Sequence, residues 1–210
     1  MVLSVEEKIR YERQMMIAKW GESGQQKLKA ATVFVAGAGG LGSPLLYYLA
    51  AGGIGTIRVC DFDSVEPSNL NRQILHSSSR IGMNKAESAQ KTLNETNEFV
   101  DIQTITEKIH NANAAELIGN ADVIVDCLDN FETRHVLNKI SVEKRIPLVH
   151  AGVEGFRGQI TFIHPPETPC LACFIPREVK KEKFPILGAT PGVIGALQAM
   201  EVMKHLTGMG

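Results

Sequence analysis

The sequence predicts an α/β protein built around a doubly wound, mostly parallel sheet. The first observation is an apolar run at residues 32–36 that leads directly into glycines at 37, 39 and 42. A helix-forming stretch at 43–51 follows at once, and strand, glycine turn and helix in this order are typical of a Rossmann-like unit. The second observation is that apolar strands and helical segments continue to alternate along the chain. That alternation favours parallel strands joined by helical crossovers.

The remaining elements are predicted in chain order. An N-terminal helical arm covers residues 1–30 and contains a helix at 5–19. Beyond the glycine turn, strands are predicted from their apolar patterns at 56–60, 100–105, 121–127, 146–152 and 158–164, the last of them antiparallel. Helices are predicted at 82–95, 112–118, 131–143 and 192–206. A charged crossover segment at 174–191 is expected to be flexible. No change in composition marks a second domain, so residues 1–210 are expected to form one domain.

Composition and charge exclude several classes of protein. The 210 residues carry a formal net charge of −1, which gives no basic footprint, so nucleic acid is not expected as a partner. No apolar run approaches the ~20 residues of a membrane span. The first residues lack a basic region followed by an apolar core, so no signal peptide is expected. The four cysteines do not form a disulfide framework in a chain of this length, and we expect a cytoplasmic protein.

The glycine turn and an acid after the next strand predict a nucleotide site. Gly37 allows the turn, Gly39 lets the backbone approach a phosphate, and Gly42 lets the helix pack on the strand. The helix that follows offers free N–H groups and a partial positive charge to an anion. Asp61 ends the next strand at about the ~20-residue spacing from which an acid can hold ribose hydroxyls. A dinucleotide and ATP both fit this pattern, so the nucleotide stays open at this point.

Three further charged residues indicate a ligand site. Arg72 belongs to a polar, turn-rich loop after Asp61 and can make bidentate contacts to phosphate oxygens. Lys85 lies in the first turn of a predicted helix, where a cation is unfavourable unless a nearby anion offsets it. Asp129 comes directly after a buried strand, and open α/β sheets place ligands at such strand ends.

The sequence resembles the ThiF/MoeB/HesA family, the prokaryotic relatives of ubiquitin-activating enzymes. The motifs that carry the resemblance occur in the family's order over nearly the whole chain. They are RYERQ at 10–14, GAGGLG at 37–42, DFD at 61–63, SNLNRQ at 68–73, GMNK at 82–85, DCLDN at 126–130, GQ at 158–159, CLAC at 170–173 and GVIGALQA at 192–199. A single glycine loop would be weak evidence, whereas this set in this order is specific to the family.

The resemblance implies an adenylyltransferase. Such an enzyme uses ATP and Mg²⁺ to activate the C-terminal glycine carboxylate of a ubiquitin-like sulfur carrier, of the molybdopterin or thiamine biosynthesis type. By position in the family's motifs, Gly39 and Gly40 would line the nucleotide and Asp61 would hold the ribose. Phosphate contacts would come from Asn69, Arg72 and Lys85, and Asp129 would place Mg²⁺. Asp63, Gln73 and Asn130 fall in the same motifs and are expected in the ATP site. The family works as a homodimer, in which Arg13 would reach into the neighbouring subunit's site.

Two departures from the family pattern concern the cysteines. Zinc-binding members carry a second Cys-x-x-Cys that completes a four-thiolate site, and the printed sequence holds no such pair after Cys170 and Cys173. These two thiols are a zinc half-site that would need a partner chain's residues or His164, and it stays open whether they bind metal. Thioester-forming relatives carry a cysteine before the final helix, and residues 174–191 have none. Cys60 and Cys127 are expected to be packed small residues, so adenylation is expected without an enzyme thioester.

Other functions remain as alternatives. An NAD-dependent oxidoreductase would explain the glycine loop and Asp61 but not Arg72, Lys85 and Asp129 together. A family member could instead adenylate another carboxylate or a modified tRNA base, although the weak net charge disfavours tRNA. The chain could also be an inactive subunit kept for assembly.

Overall fold

A mixed sheet forms the centre of the protein. The computed structural model describes residues 1–175 and 184–209. Within these residues the strands are β1 (Thr32–Ala36), β2 (Thr56–Cys60), β3 (Asp101–Ile105), β4 (Val123–Asp126), β5 (Leu148–Glu154) and β6 (Arg157–Ile163). Their spatial order is β3-β2-β1-β4-β5-β6. All neighbours are parallel except the pair β5–β6, which is antiparallel. The predicted fold class and the antiparallel last strand are both confirmed.

Helices cover both faces of the sheet. The helices of the described residues are α1 (Val5–Arg10), α2 (Glu12–Met15), α3 (Gly21–Ala30), α4 (Gly42–Gly52), α5 (Lys85–Thr96), α6 (Ala114–Ile118), α7 (Phe131–Lys144), α8 (Leu171–Phe174) and α9 (Ala189–Thr207). Short 3₁₀ turns occur at Pro67–Asn69 and Ser78–Arg80. Because side chains alternate along a strand, Val33 and Val35 of β1 join the core beneath α3, α4, α5 and α9. Phe34 and Ala36 join the core beneath α6, α7 and α8.

The order of the strands fixes where a ligand can bind. From β1 the chain winds outward through β2 to β3, and it then returns to the other side of β1 with β4 and β5. Loops after β1 and β4 therefore leave the sheet in opposite directions and open a crevice at its carboxyl edge, where doubly wound sheets bind ligands.

The N-terminal arm differs from its prediction. The expected helix at 5–19 is divided at Tyr11, which ends α1 and is buried, being only 2% exposed. Its hydroxyl accepts a hydrogen bond from Asn97 Nδ2 at 2.8 Å, and its ring lies against Gly53 at the end of α4. This tertiary contact turns the chain, and a further helix, α3, completes the arm after a residue with positive φ, Lys19.

The crossover before the last helix is described only in part. The crossover at 174–191 was expected to be flexible, and its residues 176–183 lie outside the described part of the chain. Its later part is described: Ile186 bridges to Gly155 at the β5–β6 turn, and α9 begins at Ala189. Among the described residues, no helix is long and apolar enough to cross a membrane.

Candidate active site

A large cleft opens at the carboxyl edge of the sheet. Its volume is about 2480 Å³, and it extends from the loops after β1 and β2 across β4 to the β5–β6 turn. The structure brings most of the predicted site residues together in its lining: Gly39, Gly40, Asp61, Asp63, Arg72, Gln73, Lys85, Asp129 and Asn130. These residues come from five separate segments of the sequence, so the fold gathers them.

The glycine loop has the geometry that a backbone cradle requires. Gly37 has φ of +100°, and a Cβ there would lie 2.8 Å from the carbonyl oxygen of Cys127. A Cβ on Gly42 would lie 2.1 Å from the carbonyl oxygen of Gly37, so α4 can start this close to β1 only with glycine. No side chain caps the N-terminus of α4. Its Ser43 N–H donates to the Gly39 carbonyl at 2.9 Å, and Pro44 has no N–H. An anion at this edge would therefore be bound through the backbone N–H groups of residues 39–42.

Asp61 holds the glycine loop as well as facing the cleft. Its Oδ2 accepts the Ala38 N–H at 2.8 Å, and its Oδ1 accepts the Asp63 N–H at 2.9 Å. Burial raises the pKa of the Asp61 carboxyl, while the Ala38 N–H and the nearby Lys85 oppose that rise. Each carboxylate oxygen has two acceptor sites, so both can still accept a ribose hydroxyl.

Lys85 is a nearly buried cation at the start of α5. It is 7% exposed, and its Nζ lies 3.3 Å from Asp63 Oδ2. Asn84 caps the helix by accepting the Ala86 N–H at 2.8 Å, and it donates to the Asp61 carbonyl at 2.9 Å. The cap therefore ties the Lys85 helix to the strand end that carries Asp61, and the lysine is held at the cleft.

Arg72 and Gln73 line the cleft beside the glycine loop. Arg72 donates to the Ser68 carbonyl at 2.9 Å, and its stem packs close to Gly40. Gln73 is 5% exposed, and its amide lies next to Gly39. Its Oε1 is buried and has no hydrogen-bond partner among the described residues. A buried amide oxygen without a partner is costly, so a ligand hydroxyl or water at the loop would stabilise this arrangement.

The turn that presents Asp129 is held by a buried charged cluster that the sequence analysis missed. Asp126, which is fully buried, accepts the Leu128 N–H at 3.0 Å and a hydrogen bond from His150 Nδ1 at 2.6 Å. Arg134 Nε lies 3.4 Å from the Asp126 carboxylate, and Arg134 Nη2 donates to the carbonyls of Leu128 and Ala151. Both the N–H and the carbonyl of Leu128 are therefore hydrogen-bonded. These bonds hold in place the turn that carries the exposed Asp129.

Three predicted residues have other positions or duties. Asn69 is buried and does not line the cleft, since its Oδ1 accepts the Glu66 N–H at 3.2 Å and closes the 3₁₀ turn. Asn130 lines the cleft, but its Oδ1 caps α7 by accepting the Thr133 N–H at 2.9 Å. Arg13 is exposed on α2, outside the cleft lining. The neighbouring Gln14 donates to the Gly52 carbonyl at the end of α4, about 16 Å along that helix from the glycine loop.

The cysteines fall into two pairs. Cys60 and Cys127 are buried as expected, and burial raises the pKa of the Cys60 thiol to about 12 and that of Cys127 well above its usual value. The sulfurs of Cys170 and Cys173 lie 3.6 Å apart at the cleft edge. Among the described residues, no cluster of three or more His, Cys, Asp or Glu forms, so neither His164 nor an acid joins them. Structural zinc takes four ligands, so these two thiols alone do not make a zinc site.

The fold and this site define a doubly wound α/β protein with a glycine loop at the switch point of its sheet. Comparison with known families identifies it further: the model of the ThiF family matches residues 11–210. The chain belongs to the ThiF family, as the motifs predicted.

Individual relatives agree with that assignment. The chain is 41% identical over 207 residues to the adenylyltransferase and sulfurtransferase MOCS3 of Xenopus laevis, an alignment that covers 96% of this chain and 46% of that protein. The MOCS3 protein of Mus musculus is also 41% identical, with 99% and 46% covered. The chain thus spans about half the length of the curated relatives it matches.

Solved structures share the fold. The crystal structure of Escherichia coli MccB with ATP superposes with a TM-score of 0.87 at 27% identity, covering 96% of this chain and 64% of that one. The structure of PaaA gives a TM-score of 0.86 at 27% identity, covering 100% and 68%.

Proposed function

We propose that this chain is an adenylyltransferase that activates the C-terminal glycine carboxylate of a ubiquitin-like sulfur carrier with ATP. The observation that carries the proposal is the cleft in which the glycine loop converges with Asp61, Arg72, Lys85 and Asp129. Support comes from the family and from relatives named adenylyltransferase and sulfurtransferase. A structural neighbour, MccB, has been solved with ATP.

The chemistry requires positive charge more than acid–base groups. An ionised carboxylate oxygen attacks the α-phosphorus of ATP, the bond from that phosphorus to the bridging oxygen breaks, and its electron pair leaves with pyrophosphate. Two anions approach each other, so electrostatic stabilisation dominates the barrier. Lys85 is buried beside the glycine loop and would neutralise charge on the phosphates. Arg72, whose stem packs close to Gly40, would contact the same phosphates. The carboxylate is already ionised near neutral pH, so no general base is needed.

Asp129 suits a magnesium ion that arrives with the nucleotide. It is an exposed carboxylate on a rigid turn at the cleft, and Mg²⁺ is usually held by one or two carboxylates together with substrate phosphates. The ion would supply charge neutralisation at the phosphate oxygens. Asp129 is the residue of this chain that would hold it, and the buried Asp126–Arg134 pair would keep Asp129 in place.

The size of the cleft supports a second substrate. At about 2480 Å³ it exceeds the ~300–1,000 Å³ that is usual for a small-molecule site. The part away from the glycine loop is lined by Gly152, Gly158 and Gln159 of the β5–β6 pair. A nucleotide at the glycine loop would leave this part free for an extended C-terminal tail. A molybdopterin-type or a thiamine-type carrier would satisfy this requirement equally.

The product is expected to leave without a covalent enzyme thioester. The raised pKa of Cys60 and Cys127 keeps these thiols protonated near neutral pH, and the thiolate is the nucleophile. Cys170 and Cys173 remain as a zinc half-site only if ligands from elsewhere complete it.

A homodimer would explain Arg13. Arg13 lies at the far end of α4 from its own cleft, so it would act in a partner's site. An apolar groove on the other side of α4, lined by residues that include Tyr47, Tyr48, Ile74 and Val193, is a candidate for the contact between subunits. Tyr48, Ile74 and Val193 are each more than half exposed, and an apolar patch of this kind marks a protein interface.

Nucleotide binding separates this proposal from the oxidoreductase alternative. We expect the protein to bind ATP in a calorimetric titration and to bind NADH far more weakly. Mg²⁺ should strengthen ATP binding to the wild type, and Asp129→Asn should remove that strengthening while the variant stays folded. Asp101→Asn, an exposed acid at the start of β3 on the opposite edge of the sheet, is the matched control. Preferential NADH binding would contradict the proposal, and an unchanged Mg²⁺ effect in Asp129→Asn would contradict the metal role.

A further inference from the structure

A buried histidine connects the glycine loop to the helix that carries Lys85. His76 lies between the two 3₁₀ turns and is 7% exposed. Its Nε2 is 2.8 Å from the carbonyl oxygen of Ala38, which is part of the glycine loop. Its Nδ1 is 2.9 Å from the hydroxyl of Ser88, a fully buried residue of α5. Both ring nitrogens are therefore engaged.

The partners determine where the ring proton lies. A carbonyl oxygen can only accept, so Nε2 carries the hydrogen and donates to Ala38. In a neutral ring Nδ1 is then an acceptor, and the Ser88 hydroxyl donates to it. Burial lowers the pKa of His76, the hydrogen bond to Ala38 opposes that shift, and the charges of Lys85 and Arg80 lower the pKa further, so the neutral ring is favoured.

The two hydrogen bonds join the two halves of the phosphate region. Ala38 is held on its other side as well, because its N–H donates to Asp61. Ser88 follows Lys85 by three residues on one helix, which is less than one turn and about 4.5 Å along the axis. Any displacement of α5 relative to the glycine loop would therefore break a hydrogen bond of His76.

We infer that His76 is a positioning residue of the nucleotide site, which sets the distance between the glycine loop and Lys85. The inference rests on the proposed function in that the ligand is taken to be ATP. His76 touches no substrate. It acts through the Ala38 carbonyl on one side and through Ser88 on the other.

The test compares two replacements of the same ring. His76→Leu fills most of the volume but can neither donate nor accept, so it leaves the Ala38 carbonyl and the Ser88 hydroxyl unpaired. We expect it to weaken ATP binding by about tenfold or more, because the glycine loop and α5 would no longer be held at a fixed distance before ATP binds. His76→Gln can donate from its amide nitrogen and accept at its amide oxygen, and we expect it to recover most of the affinity. Ser88→Ala, which frees only the distal end of the ring, should give an intermediate loss.

A second measurement tests the role of His76 without ATP. Hydrogen exchange at the amides of residues 38–40 should be faster in His76→Leu than in the wild type and His76→Gln. Wild-type ATP affinity and wild-type loop exchange in His76→Leu would overturn the inference. Equal losses in the Leu and Gln variants would also overturn it, because they would show that the ring serves only to fill space. A wild-type protein that binds no ATP would contradict the proposed function, while loop exchange would still decide the role of His76.

Discussion

Replacing Gly39 with alanine tests nucleotide binding at the glycine loop without destabilising the fold. A Cβ at this position would lie 3.5 Å from Gln73 Nε2, which is an ordinary van der Waals contact. The residue does not have the left-handed backbone conformation of Gly37. The folded protein can therefore accept the methyl group, which would stand at the surface of the loop that lines the cleft.

Gly39→Ala is expected to raise the stability of the fold slightly and to lower its affinity for ATP. Alanine restricts the unfolded chain, so Gly39→Ala should change the free energy of unfolding by less than ~1 kcal/mol and in the stabilising direction. If a phosphate lies against this backbone, the methyl group displaces it, and we expect ATP affinity to fall at least about tenfold, or ~1.4 kcal/mol. Gly42→Ala should instead destabilise the fold. Its Cβ would lie 2.1 Å from the Gly37 carbonyl, and such overpacking costs about 1–3 kcal/mol or more of stability.

Urea unfolding and calorimetric ATP titration measure the two effects on the same samples. Asp101→Asn is the control, because Asp101 is exposed at the start of β3, outside the cleft lining. The control should bind ATP like the wild type. A Gly39→Ala variant that binds ATP with wild-type affinity would refute the placement of phosphate at this loop.

Three further predictions follow from the same geometry. Arg134→Gln should lower the free energy of unfolding by about 3–5 kcal/mol, as measured by urea unfolding, because it leaves the buried Asp126 carboxylate without its cation. A loss below ~1 kcal/mol would contradict a stabilising role of the Asp126–Arg134 pair. Arg13→Ala and Lys85→Ala should be inactive separately but recover about a quarter of wild-type activity after subunit exchange, since half of the dimers then hold one intact site; no recovery would place Arg13 in its own subunit or in a structural role. Burial lowers the pKa of His76, so an unfolded chain binds its proton more readily. The free energy of unfolding should therefore be retained above about pH 6.5 and fall as the pH drops below it. His76→Gln should show a shallower fall, and an equal fall in both proteins would contradict a buried neutral His76.

Local signals explain why much of the fold could be predicted. The glycine loop, the strand ending at Asp61 and the buried strand before Asp129 each combine an apolar run with a turn or an acid within a few residues. Those patterns fix the strands, and the rules of doubly wound sheets then place their carboxyl ends together. The alternation at 158–164 also sufficed to predict an antiparallel last strand.

The errors and omissions arise from contacts that are distant in sequence. The helix expected at 5–19 is interrupted because Tyr11 is anchored by Asn97, 86 residues away. Arg134 escaped notice because its role depends on Ala151, which only the pairing of β4 with β5 brings near.

The most direct test of the whole account is carrier-dependent exchange of pyrophosphate into ATP. We expect exchange when the protein is mixed with a molybdopterin-type or thiamine-type carrier that ends in Gly-Gly. The same carrier without its last glycine should give none, because the carboxylate then no longer reaches the α-phosphorus. A short peptide carboxylate serves as the competing substrate. Exchange that ignores the terminal glycine, exchange with the peptide alone, or no exchange by a protein that binds ATP would contradict the central claim.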